Sequence, residues 1–119
     1  MDDRLRKEAG RAAEAAALAH LERAGLQLVL RNFRCKGGEI DLVMLDAATL
    51  VFVEVRYRAN EQFGGAAASV TWRKQRRLAN AAEYLLLARQ ELRRYPARFD
   101  VVAISAAQQI DWIKNAFTV

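Results

Sequence analysis

Gly38-Glu39-Ile40-Asp41-Leu42-Val43-Met44-Leu45-Asp46-Ala47-Ala48-Thr49-Leu50-Val51-Phe52-Val53-Glu54-Val55-Arg56-Tyr57-Arg58 is the stretch whose reading decides the fold. It reads as a β-hairpin, two apolar runs joined by a tight connection at Asp46-Ala47-Ala48-Thr49. Side chains alternate along a strand. Leu50, Phe52, Glu54, Arg56 and Arg58 therefore share one face, and Val51, Val53, Val55 and Tyr57 the other. Both faces begin apolar, the mark of a central strand covered on both sides. On the first strand the same rule puts Glu39, Asp41, Val43 and Leu45 together, with Glu39 at the solvated mouth. Each strand thus carries an acid, Asp41 and Glu54, where a carboxylate is costly without a cation, a metal or hydrogen bonds. Arg56 is within reach of Glu54, whereas Asp41 only adds repulsion. Two acids beside a basic group point to a divalent ion between them.

Upstream, residues 4–24 are rich in alanine and contain no proline or β-branched residue, which predicts a helix stopped by Gly25. Ala13, Ala17, Leu18 and Leu21 form its apolar stripe, and Glu14 lies inside that stripe. The bland account of Glu14 is a stem along the stripe's edge with its carboxylate paired to an arginine. His20 reads as a solvated helix residue, not a ligand. Leu26 to Arg34 reads as a strand, and Cys35-Lys36-Gly37-Gly38 turns the chain into the hairpin.

Downstream, Ala59 to Ser69 has no clear period and reads as a mobile loop beside the acids. A second helix is predicted from about Thr71 to Gln90, with Ser69 or Thr71 as its N-cap. Lys74 begins its core-facing stripe of Leu78, Ala81, Ala82 and Leu85, while Arg73, Arg76, Arg77 and Asn80 make a solvated basic face. Such a face is ordinarily a matter of solubility, and beside a metal site it gains weight as a phosphate contact. A strand follows from Phe99 to Ser105, where Asp100 reads as a structural partner for an arginine. Ile110 to Phe117 closes the sheet at an edge. The order helix, three strands, helix, two strands predicts a mixed α/β sandwich around one sheet.

Bulk properties narrow the chemistry. The chain has 119 residues, 53% of them hydrophobic, enough for one core and one domain spanning 1–119. No apolar run approaches the roughly 20 residues of a membrane span, and the N-terminal residues lack a signal peptide's apolar region. A cytoplasmic protein is expected. With one cysteine, Cys35, and one histidine, His20, neither an internal disulfide nor a zinc cluster can form. Any ion must be held by oxygen, as Mg2+ or Mn2+ are. A net charge of +5 fits a polyanionic partner such as nucleic acid, with DNA the first candidate.

An acid on one strand, Glu-x-Arg on the next and a glutamate on a preceding helix make a constellation that a metal-dependent phosphodiesterase can use. Gly38-Glu39-Ile40-Asp41-Leu42, Val51-Phe52-Val53-Glu54-Val55-Arg56-Tyr57-Arg58, Phe63-Gly64, Val70-Thr71, Lys74-Gln75-Arg76-Arg77-Leu78 and Arg98-Phe99-Asp100-Val101-Val102 together resemble the bacterial YraN family. Gly10-x-x-x-Glu14-x-x-Ala17-x-x-x-Leu21 and Ile113-x-Asn115-Ala116-Phe117 extend the likeness over nearly the whole chain. That family is similar to the PD-(D/E)XK endonucleases, in particular Holliday-junction resolvases. The resemblance implies a restriction-endonuclease-like fold, Asp41 and Glu54 as metal ligands, and Glu14 as the acid that completes the site. It also implies position 56 as the motif's terminal basic residue and pairing of copies as a homodimer.

The superfamily pattern ends in lysine, and here Arg56 stands instead. A guanidinium stays protonated, so it can grip a phosphate or place a water but cannot act as general base. Lys74 is the candidate to take over the lysine's part. Arg58, Arg73, Arg76 and Arg77 are the candidate nucleic-acid contacts. The residues leave three readings open: a metal-dependent nuclease acting on branched or single-stranded DNA, a degenerate nucleic-acid-binding protein, and an adaptor that pairs through an edge strand.

Overall fold

The computed structural model describes residues 3–58 and 70–118. The elements are α1 (Asp3–Arg23), β1 (Gln27–Cys35), β2 (Gly38–Asp46), β3 (Thr49–Arg58), α2 (Trp72–Ala88), a short 3-10 helix (Gln90–Arg94), β4 (Ala97–Ser105) and β5 (Ile110–Phe117). This is the order expected from the sequence, apart from the 3-10 helix. The loop reading for Ala59 to Ser69 lies outside the described residues.

Five strands form one sheet in the order β1-β2-β3-β4-β5. All neighbours are antiparallel except β3 and β4, which are parallel. Parallel neighbours need a crossover, and α2 lies within it. The two helices cover opposite faces. On one, Ala13, Ala17 and Leu21 of α1 meet Leu42, Met44, Val51, Val53, Val102 and Ile104. On the other, Leu78, Ala81, Ala82 and Leu85 of α2 meet Ile40, Val43, Leu50 and Phe52. This is why the hairpin is apolar on both faces.

The helix ends follow from local chemistry. Gly25 takes φ 100°, the left-handed conformation that costs glycine least. It lets the Leu26 N–H donate to the Leu21 carbonyl and the Gly25 N–H to that of Glu22, which closes α1. Thr71 caps α2, its hydroxyl accepting from the Lys74 N–H at 3.2 Å. Gly38 sets how closely α2 docks, since a Cβ there would overlap the backbone carbonyl of Arg77. Gly38→Ala is therefore expected to destabilise the protein by about 2 kcal/mol through forced separation of α2 from β2. A thermal melt checks this, and an unchanged Tm would show that the helix shifts freely.

Strict alternation fails at one place on β2. Ile40 and Val43, three residues apart, both face α2, while Leu42 and Met44 face α1. Opposite, β1 carries Asn32 with φ 56°, between Arg31 paired with Leu42 and Phe33 paired with Ile40. Asparagine tolerates this conformation better than most side chains, and the kink lets both strands change face together. The expected grouping of Asp41 with Val43 and Leu45 on one face is thereby corrected: Asp41 sits at the switch.

Candidate functional site

The site begins where the sheet splits. β2 pairs with β3 from Leu42–Val53 to Asp46–Thr49. Beyond Leu42, β2 stays with β1 as far as Gly38, and beyond Val53, β3 stays with β4 as far as Arg58. Asp41 and Glu54 are the next residues on either side of this fork. The Val55 N–H, released from the ladder, donates instead to Asp41 Oδ2 at 2.8 Å. The acid thus replaces a backbone acceptor and holds the fork open.

Glu54 is 2% exposed on the α2 side. Its Oε2 lies 3.2 Å from Lys74 Nζ and 3.7 Å from the Arg56 guanidinium. Neither approach has hydrogen-bond geometry, so Glu54 Oε2 and the buried Arg56 Nε both lack a hydrogen-bond partner. Buried polar atoms are nearly always satisfied, and such exceptions concentrate at functional sites. Asp41 is pushed up to about 7, chiefly by burial and then by the charge of Glu54, and the Val55 N–H opposes the rise. Its carboxyl also shares a hydrogen bond with Glu54 that favours a proton on Asp41.

Glu14 reaches the same region from α1. It pairs with Arg31 at 3.6 Å, the arginine partner foreseen for it. Burial and then the charge of Asp41 raise its pKa, against a hydrogen bond from Asn32 and the Arg31 charge. Among the described residues, no three His, Cys, Asp or Glu side chains approach closely enough to hold an ion between them. Asp41 and Glu54 are the two carboxylates that meet at the fork. Mg2+ commonly uses one or two carboxylates and keeps its remaining waters.

A cleft of about 500 Å3 opens on the α1 side of the fork. Glu14, Asp41, Asn32, Val55 and Tyr57 line it, together with Lys7, Arg11 and Arg34. The last three were missed by sequence reading, although Lys7, Arg11 and Glu14 lie at i, i+4, i+7 on one helix face. The expected contacts Arg73, Arg76 and Arg77 are exposed on α2, across the sheet from this cleft. Arg58 is half-buried at the end of β3. Glu39 is at the surface beside Arg34. His20, expected in solvent, is half-buried with its ring edge-on to Trp112.

Asp100 is wholly buried and makes the foreseen arginine pair, with Arg98 at 2.9 Å. It has no part in the fork. No helix among the described residues is long and apolar enough to cross a membrane.

Comparison with known proteins shows the family to which the chain belongs. Residues 13–104 match the model of a family described as "Uncharacterised protein family UPF0102". A UPF0102 protein of Pseudomonas putida KT2440 is 56% identical over 113 residues, spanning 92% of this chain and 91% of the relative. One of Stutzerimonas stutzeri A1501 is 53% identical over 114 residues, spanning 93% and 95% respectively. Another, of Pseudomonas fluorescens Pf0-1, is 51% identical over 118 residues and spans 98% of both chains. The chain that carries this forked sheet belongs to the UPF0102 family, which is the YraN family.

Proposed function

We propose that the protein is a Mg2+- or Mn2+-dependent nuclease that hydrolyses phosphodiester bonds in DNA. The observation that carries the reading is the pair of buried, unsatisfied atoms, Glu54 Oε2 and Arg56 Nε, beside the fork that Asp41 holds open. Asp41 and Glu54 would hold the cation, which supplies water activation and charge screening at phosphate. Arg56 grips the phosphate, since a guanidinium offers donors but no basic site. Lys74 positions Glu54 through its contact at 3.2 Å. Glu14 supplies a further acid at the cleft.

A second reading is favoured by the same cations. Arg56 and Lys74 already compensate Glu54, as in a nucleic-acid-binding protein without cleavage.

Incubation with junction, flap and linear DNA, with and without Mn2+, separates the two. Cleavage is expected in the wild type and should fall about 100-fold or more in Asp41→Ala and Glu54→Ala. Lys74→Ala is expected to lose about 10- to 100-fold, the usual effect of removing a group that orients a ligand. Steeply salt-dependent binding without a cut product would establish the second reading and sink the first.

A further inference from the structure

The cleft beside Asp41 carries more than acids. Lys7 and Arg11 stand on its α1 wall and make no ion pair among the described residues. Arg34 contributes a third cation from β1, with its side chain 73% exposed and its guanidinium 3.8 Å from Glu39. Opposite, Tyr57 leaves 37% of its surface open and lines the cleft beside Val55. Cations along one wall and a partly exposed aromatic ring on the other are the two parts of a site that binds single strands. Phosphates follow the charge while a base stacks on the ring.

Size decides between a single strand and a duplex. About 500 Å3 is the volume of a small-ligand pocket. A base still stacked and paired inside a duplex cannot enter a cleft of that size. A nucleotide drawn out of the stack can.

We infer that this cleft is a subsite for one unpaired nucleotide, with its base against Tyr57 and its flanking phosphates on Lys7 and Arg11. Cleavage of that nucleotide's backbone at Asp41 rests on the nuclease reading, but binding itself does not depend on it. The track for nucleic acid then runs along α1 and not along the arginines of α2. Gly10 leaves open space in the α1 wall, where a Cβ would meet nothing within 4 Å.

The test is fluorescence anisotropy in EDTA, where no cut occurs, with a short labelled DNA single strand and the same sequence as a blunt duplex. The single strand is expected to bind about ten-fold tighter or more, and Tyr57→Ala should remove about ten-fold while Tyr57→Phe keeps it. The double variant Lys7→Ala/Arg11→Ala should reduce the salt slope for the single strand by about 1.4, roughly 0.7 for each phosphate no longer neutralised. Gly10→Leu narrows the cleft while improving helix propensity, so it should weaken single-strand binding without lowering Tm. Equal binding of duplex and single strand overturns the subsite, as does full affinity in both Tyr57→Ala and Gly10→Leu. Tight single-strand binding with no cleavage in Mn2+ overturns the nuclease reading and leaves the subsite standing. Duplex cleavage unaffected by Tyr57→Ala does the reverse.

Discussion

Asp100→Ala is expected to cost about 4 kcal/mol of folding stability, because it leaves several buried donors without their acceptor at once. Asp100 is completely buried, and both its oxygens are engaged. Oδ1 accepts from Arg98 Nε at 2.9 Å and from the Asn115 N–H at 2.9 Å, while Oδ2 accepts from Trp112 Nε1 at 3.0 Å and from the Arg98 guanidinium at 3.2 Å. The Asn115 contact matters most for the fold. The β4–β5 register slips between Phe99 and Val101, and Asn115 takes φ 50° across the slip. Its N–H leaves the ladder and finds the carboxylate instead.

Truncation would strand that donor, the indole N–H and part of a guanidinium together. Among the described residues, Arg98 would retain Asp46, at 2.9 Å. At roughly 4 °C per kcal/mol for a chain of this size, Tm should fall by about 15 °C. Asp100→Asn, which keeps one acceptor oxygen, should lose less than half as much. Equal melts for Asp100→Ala and the wild type would mean that β5 is held by its apolar contacts alone.

Asp41→Asn is expected to act in the opposite direction. Asp41 rises from its ordinary 3.8 to about 7 in the folded protein, through burial and the neighbouring Glu54. A group raised in this way contributes fully to stability below its ordinary value and loses that contribution as pH rises through about 7. In EDTA the wild type should therefore be more stable near pH 5 than near pH 8, by roughly 2.7 kcal/mol, because the loss runs at ~1.4 kcal/mol per pH unit only up to about pH 7. Glu14, raised for similar reasons, adds a smaller slope of the same sign.

An amide at position 41 keeps an acceptor for the Val55 N–H and removes the repulsion. The variant should melt higher than the wild type at pH 8 and retain only the shallower slope. Saturating Mg2+, at about 100 times its Kd, should return about 2.7 kcal/mol to the wild type and nothing comparable to the variant. A variant less stable than the wild type at pH 8 would show that the fork needs the charge. Equal responses to Mg2+ would place the ion elsewhere.

The hairpin was legible because its pattern has a single solution. Apolar residues on both faces of Leu50 to Val53 demand two covering layers, and the alanine-rich and leucine-rich helices on either side supply them. The place of Lys74 at the head of a core-facing stripe was legible too, but its contact with Glu54 at 3.2 Å was not, because the stripe does not say which strand residue it meets. The face of Asp41 was not legible. Period-two reasoning assumes an unbroken strand, and the left-handed turn at Asn32 breaks it through β1. Nor did composition separate Arg73, Arg76 and Arg77, exposed on α2, from Lys7 and Arg11 at the cleft. Charge runs look alike until the layers are assigned to the two sides of the sheet.

By itself the sequence determined the element order, the two-sided burial of the central strands and the residue types available to bind an ion, because periodicity and composition are local properties. Only the tertiary structure decided that β2 and β3 part between Leu42 and Asp41 and that a backbone N–H of β3 turns to the Asp41 carboxylate. It alone brought Lys74 to Glu54 beside Arg56 and singled out Arg31 as the arginine that pairs with Glu14. Those outcomes depend on register and on which neighbour each strand keeps, and strand pairing is a property of segments distant in the chain.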